Sequence, residues 1–288
     1  MKSMNKIQIN RIKDQSFGIL GLLATLSGLV LLSFFIGQIF YEGCSRIDFN
    51  FLQDLPSRKP EKAGIFTAWA GTLWVLCLTT LFAFPLGVSA GIYLEEYLKK
   101  SKLADLLEIN ISNLAGVPSI IYGLLGLEIF GRILHLKNSL LAGALTLALL
   151  ILPIIIVATR EAIRAVPNSL RMASYGLGAS KWQTIWNQIL PASLGGILTG
   201  VILAISRAVG ETAPLIVIGA LAYVPFAPSS PMDKFTVLPI QIFNWISRPQ
   251  HGFSVNAAAA IIILLGITFT MNGIAMLLRS KWQKKINW

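Results

Sequence analysis

Leu140–Ala158 reads LLAGALTLALLILPIIIVA, 19 residues without a charge or an amide side chain. A helix needs about 20 apolar residues to cross the hydrocarbon core of a bilayer, and this run meets that length almost unaided. Outward from it, five further blocks have the same character: Phe17–Tyr41, Ala68–Tyr93, Ile109–Phe130, Ile197–Tyr223 and Val255–Leu278. The Ile109–Phe130 block is the most interrupted, by Asn110, Asn113, Ser119 and Glu128, and the Ile197–Tyr223 block contains Arg207 and Glu211. Of the 288 residues, 55% are hydrophobic and 13% charged, with a mean hydropathy of +0.68. A soluble domain needs about a quarter of its residues charged to cover its surface. The expectation is therefore an all-α membrane protein with six transmembrane helices.

The net charge of +11 does not point to nucleic acid, because the Lys and Arg flank the apolar blocks and form no basic stripe. With the N-terminus inside, the four inner segments hold 15 Lys and Arg and the three outer ones 8. That bias puts both termini of a multi-pass chain in the cytoplasm. Segment 1–16 is then a cytoplasmic N-terminal piece, 17–66 the first span with its outer loop, 67–278 a five-helix core, and 279–288 a cytoplasmic tail. The apolar run from Phe17 is too long for a signal-peptide core and is expected to stay in the mature chain. Cys44 and Cys77 form no CxxC pattern and no His/Cys cluster exists, so no structural metal is expected. Nor is there an HExxH, a paired Asp motif or a Gly-rich loop ending in Lys-Ser/Thr, which argues against a membrane-embedded enzyme. A stand-alone secondary transporter usually shows an internal repeat, and none is visible.

Two connections are informative. The outer loop 224–254 is Pro-rich, and its amphipathic stretch Leu238–Trp245 is expected to lie along the interface. Trp69, Trp74, Trp245 and Trp288 read as interface anchors. The inner loop 159–192 has a two-helix pattern. Asn168 and Ser169 can cap a first helix carrying Leu170, Ala173, Ser174 and Leu177 on one face, broken at Gly176 and Gly178. Ser180 with Gln183 forms a capping box for a second, which Leu190-Pro191 is expected to end. Such a pair either rests on lipid headgroups or plugs into a cytoplasmic partner.

At Met172-Ala173-Ser174, three residues, Gly178, then Leu190-Pro191, the loop resembles the EAA motif of ABC importer permeases, departing from it at Met172 and Ser174. Phe84-Pro85-Leu86-Gly87 through Glu95-Glu96-Tyr97, Gly116-Val117-Pro118-Ser119-Ile120-Ile121-Tyr122-Gly123, and Arg207-Ala208-Val209-Gly210-Glu211-Thr212-Ala213-Pro214 look like the phosphate-importer permeases, of the A-type. The resemblance implies a type I importer (MetI-like) architecture and a permease for phosphate, the alternative being another oxyanion such as sulfate or molybdate. It implies that Met172, Ala173, Ser174, Leu177 and Gly178 form a coupling helix for an ATPase. The implied partners are a homologous C-type permease, two ATPase subunits holding ATP and Mg, and an extracytoplasmic phosphate-binding protein. No cofactor is expected on this chain.

On residue chemistry alone, an Arg at a helix centre costs ~2.5–3.5 kcal/mol on insertion scales. Arg207 and Glu211 stand at i and i+4 and can neutralise each other. The pair is either a structural lock or part of a solute path. A guanidinium offers paired donors suited to a tetrahedral oxyanion. Thr212, Ser119 and Tyr122 either add hydroxyl donors or make ordinary interhelical hydrogen bonds. The small residues Gly196, Gly200, Ala204 and Ala208 are expected to permit close helix packing.

Overall fold

The computed structural model describes residues 4–98, 101–220 and 223–283. Among them run α1 (Met4–Gly43), α2 (Phe49–Gln53), α3 (Phe66–Ile92), α4 (Lys102–Leu114), α5 (Ser119–Gly126) and α6 (Leu140–Arg164). These are followed by α7 (Asn168–Gly176), α8 (Lys181–Thr184), α9 (Leu190–Gly210), α10 (Ala213–Val217), α11 (Leu238–Ile246) and α12 (His251–Gln283). No strand occurs among the described residues.

The opening run becomes the centre of the molecule. Helix α6 lies between α3 and α9, and most of its apolar positions are buried. Within a bilayer, lipid tails are as apolar as leucine, so helices associate through close packing and interhelical hydrogen bonds. Both are visible here. Thr79 Oγ1 on α3 donates to the Ala144 carbonyl of α6 at 3.1 Å, and a methyl added at Gly91 would lie 2.6 Å from Thr159 Cβ. On the other flank Gly196 and Gly200 sit against Ala162 and Ala158, and Ala204 and Ala208 are buried. The stripe of small residues thus forms the α9–α6 seam. The start of α6 is satisfied from outside the helix: Leu140 N–H donates to the Asp233 carbonyl at 2.9 Å and Leu141 N–H to that of Pro231 at 2.8 Å.

Five helical stretches are long and apolar enough to span a membrane, and a sixth span exists only as a bent pair. The block expected at Ile109–Phe130 is broken: α4 ends at Leu114, α5 begins at Ser119, and the two turn by 101°. Pro118 is held extended (φ −54°, ψ 134°) and lacks the N–H that would continue a ladder. The fifth block is displaced towards the N-terminus. Its helical stretch runs Lys181–Gly210, not Ile197–Tyr223, and Leu190-Pro191 does not end the preceding helix. The chain widens to a π turn over Ile185–Ile189, which relieves the clash between the proline ring and the preceding turn. At the other end Glu211 is extended (φ −75°, ψ 122°), so the helix stops at Gly210.

The loop 42–67 and α11 form a second small core with α12. Phe51, Ala63, Ile65, Leu238, Trp245 and Phe253 are buried together. Arg46 fastens it, donating from Nε to Asn256 Oδ1 at 3.1 Å and from Nη2 to the Glu61 carbonyl at 2.8 Å. The apolar face of Leu238–Trp245 is therefore covered by protein, and Trp245, 1% exposed, is no anchor. Its ring centroid is 6.0 Å from that of Phe51 and 6.4 Å from that of Phe253. Trp288 lies outside the described residues. Helix α1 is the contrast: Phe17, Leu20 and Phe34 are exposed, and beyond the adjoining turn α1 packs chiefly on α12, with Gly43 close against the Ala258–Ala259 backbone.

Candidate functional site

Two regions hold the residues singled out from the sequence. The first is the break between α9 and α10. Arg207 Nε lies 3.3 Å from Glu211 Oε1, with the guanidinium side chain 42% exposed and the carboxylate 16% exposed. The i, i+4 spacing makes the contact although Glu211 is already out of the helix. An arginine in the last turn also faces the carbonyl end of the α9 dipole, which favours a cation. Only Nε is engaged, so among the described residues both Nη groups are free of hydrogen bonds. Thr212 Oγ1 donates to the Gly210 carbonyl at a long 3.5 Å.

The bent pair α4–α5 packs beside this break. Gly123 of α5 touches α10, where a Cβ would lie 2.7 Å from Pro214 Cα. Ser119 is half-buried at the first position of α5. Tyr122 is not a free donor: it is buried and its hydroxyl donates to the Leu114 carbonyl at 2.8 Å. The same carbonyl accepts from the Val117 N–H at 3.2 Å, so the hydroxyl adds a second bond where α4 stops and helps to close the bend. Two interrupted helices thus meet around one ion pair. Non-helical backbone at membrane depth is tolerated where it is buried in protein or lines a polar cavity, and discontinuous helices of this kind form solute sites in transporters.

The second region is the loop 159–192. Helix α7 has no buried residue. Met172, Ala173, Leu177 and Gly178 face outward, with Leu177 90% exposed. Ser174 does not join them, because its hydroxyl lies 2.8 Å from Thr184 Oγ1 and ties α7 to α8. Between the two helices lies a groove of about 530 Å³, whose walls include Leu170, Ala173, Leu177, Gln183 and Asn187. Gly178 takes φ +80°, a left-handed conformation that glycine adopts without penalty. The capping box forms as spaced: Ser180 N–H donates to Gln183 Oε1 at 2.8 Å and Gln183 N–H to Ser180 Oγ at 3.3 Å. The first helix differs, since Pro167 stands at its cap without a side-chain bond and Asn168 Oδ1 instead accepts from Arg171.

A cluster of charges beside α7 escaped sequence reasoning. Glu95 and Glu96 lie in the π turn after α3, Glu108 in α4, Arg160 and Arg164 at the end of α6, and Arg171 in α7. Arg160 Nη2 donates to Glu108 Oε2 at 3.0 Å and Arg164 Nη2 to Glu95 Oε2 at 3.2 Å. Arg171 reaches Glu96 Oε1 from both Nε (3.1 Å) and Nη2 (2.8 Å). The sequence hint was a pair of glutamates after the second span and arginines after the fourth, both on the side that the charge bias makes cytoplasmic.

Residues 83–284 match the model of a family described as binding-protein-dependent transport system inner membrane component. The chain is 32% identical over 284 residues to the phosphate transport system permease protein PstA of Yersinia pestis, covering 98% of this chain and 95% of that one. It is 30% identical over 268 residues to the probable ABC transporter permease protein YqgI of Bacillus subtilis, covering 88% and 91%. Among solved structures, a chain of a bacterial ABC transporter involved in the import of alginate superposes with a TM-score of 0.65 at 15% identity, covering 96% of this chain and 99% of that one. A chain of the MetNI methionine ABC transporter gives 0.60 at 18% identity, covering 74% and 94%. With broken spans around an ion pair, an exposed helix at one end and these likenesses together, the chain belongs to the family of binding-protein-dependent transport system inner membrane components, multi-pass ABC importer permeases of the inner membrane.

Proposed function

We propose that this chain is one permease half of an ATP-driven importer of inorganic phosphate, with the anion passing Arg207. The observation that carries the reading is the pairing of Arg207 with Glu211 in the break between α9 and α10, with both Nη groups left to donate. In the resting state Glu211 neutralises a charge that is costly at this depth. An arriving phosphate takes the guanidinium through two parallel bonds. Glu211 then accepts a hydrogen bond from the protonated oxygen of HPO4, which sulfate lacks. Thr212 and Ser119 add hydroxyl donors in this reading, whereas Tyr122 helps to keep the bend closed. Names of relatives such as the Yersinia pestis protein support phosphate over sulfate or molybdate.

The exposed face of α7, with Met172, Ala173, Leu177 and Gly178, is the coupling surface for an ATPase. The assembly contains a homologous C-type permease, two ATPase subunits that hold ATP and Mg, and an extracytoplasmic phosphate-binding protein. This chain binds no cofactor itself. Both termini are cytoplasmic, as the charge bias requires.

Uptake of labelled phosphate by the reconstituted complex tests the path. Arg207→Ala assembles with its partners and loses uptake, and Arg207→Glu combined with Glu211→Arg does not restore it. Full recovery by the exchanged pair would mean that the residues only lock helices together.

A further inference from the structure

We propose that Arg171 is a positioning residue that fastens the coupling helix to the end of α3, so that motion of α7 is passed through an ion-pair strut to the helices around the anion path. The proposal rests on the reading of α7 as the ATPase-facing helix. Three observations support it.

The first is how completely Arg171 is used. Its five N–H groups make five hydrogen bonds: Nε and Nη2 to Glu96 Oε1, Nη2 also to the Ile163 carbonyl at 3.1 Å, and Nη1 to the Val166 carbonyl at 2.7 Å and to Asn168 Oδ1 at 3.3 Å. The pair is enclosed, with Arg171 15% and Glu96 7% exposed in their side chains. One side chain thus grips α3 through Glu96 and the end of α6 through its carbonyls. Lysine has neither the donors nor the planar fork to do this.

The second is how little else holds α7. None of its residues is buried; besides Arg171 it has the Ser174–Thr184 hydroxyl contact, Leu170 packed partly on the core and a seam against α8 and the π turn after it, none of which reaches α3. With so small an apolar contact, its attachment to α3 depends on Arg171.

The third is where the strut leads. Glu95, adjacent to Glu96, faces Arg160 Nε at 3.5 Å and Arg164 at 3.2 Å, and the same two arginines reach Glu108 on α4 at 3.0 and 3.6 Å. Helix α4 is bound to α5 by Tyr122 and the Leu114 carbonyl, and α5 abuts Pro214 of α10, three residues from Glu211. A continuous series of contacts therefore connects α7 to the Arg207–Glu211 break. Glu95 and Glu96 occupy a π turn, a wide winding found often where helices must adjust.

The test uses the whole complex with its ATPases and binding protein in proteoliposomes, scoring phosphate transported per ATP hydrolysed. An inactive fraction lowers both rates and leaves this ratio unchanged, whereas a loosened strut lowers the ratio. Arg171→Gln and Arg171→Lys are expected to hydrolyse ATP while the ratio falls about tenfold, within the range seen for mutations along coupling networks. Glu96→Gln, which keeps an acceptor oxygen, falls less. As a second arm, Arg171→Cys with Glu96→Cys, in a background with Cys44→Ser and Cys77→Ser, is uncoupled when reduced and recovers its ratio when bridged by a short bifunctional maleimide. Wild-type complex that transports no phosphate would overturn the functional reading itself. Wild-type transport accompanied by native ratios in Arg171→Lys, Glu96→Gln and the unbridged pair would overturn the strut alone, and so would uncoupling that the bridge leaves unrelieved.

Discussion

Replacing Gly178 by alanine isolates one physical cost. The residue sits at φ +80°, and a Cβ built on it meets nothing within 4 Å. Steric crowding is therefore absent, and the whole penalty is backbone strain, roughly 1–2 kcal/mol for a non-glycine residue in the left-handed region. The alanine also restricts the unfolded chain, which offsets roughly 0.4–1 kcal/mol of a glycine substitution where the fold tolerates it. A net cost of about 1 kcal/mol remains, which lowers the ratio of the native turn to its alternatives about fivefold. An ATPase that selects this turn sees its apparent affinity weakened by at most that factor. The assay is titration of labelled ATPase subunits onto permease in nanodiscs across a series. Gly178→Asn, which accepts left-handed backbone, stays closer to wild type than Gly178→Ala, although asparagine is the larger side chain. Asparagine as damaging as alanine, or more so, would refute the strain argument.

Three further outcomes follow from the same kind of comparison. Gly200→Val forces a side chain into Ala158 and should cost about 1–3 kcal/mol of overpacking, whereas Gly210→Ala enters open space and should stay within about 0.5 kcal/mol of wild type; thermal unfolding in detergent separates them. Tyr122→Phe removes the hydroxyl bond to the Leu114 carbonyl, which keeps the Val117 N–H, and should lower stability by about 0.5–1 kcal/mol while leaving the phosphate-over-sulfate preference unchanged, as competition uptake will show. The N–H groups of Ser229 and Ser230 and the Ser229 hydroxyl hold the Asp233 carboxyl below its usual range. Its contribution is therefore present above the unfolded value of about 3.9 and lost as pH falls through the lower folded value. Limited proteolysis should find the loop 226–234 protected at about pH 5 and increasingly cut as pH falls below the ordinary carboxylate range, with Asp233→Asn cut throughout.

Much of this architecture was legible because apolar run length is a local property. Leu140–Ala158 identifies its span with no knowledge of neighbours, and the Arg207–Glu211 contact follows from four-residue spacing. Errors arose where tertiary contacts override local signals. Pro191 reads as a helix end, yet the π turn before it lets the helix continue. Trp245 reads as an interface anchor, but loop 42–67 supplies Phe51 to cover it, and no pattern within 238–246 announces that cover. The Gly116–Pro118 stretch was visible, whereas the 101° bend depends on what α5 packs against. The arginine–glutamate strut was hidden for the same reason: Arg171 and Glu96 are 75 positions apart.

Helix α1 sets a condition on biogenesis. Its principal partner beyond the next turn is α12, so Gly43 must await Ala259, 216 residues later in the chain. At the pace of translation that is an interval of about 10–40 s. During it the first helix persists in the bilayer as a solitary span, held only by lipid and its own backbone bonds. Membrane residence thus precedes assembly, and α12, on leaving the ribosome, completes a contact that α1 has kept open.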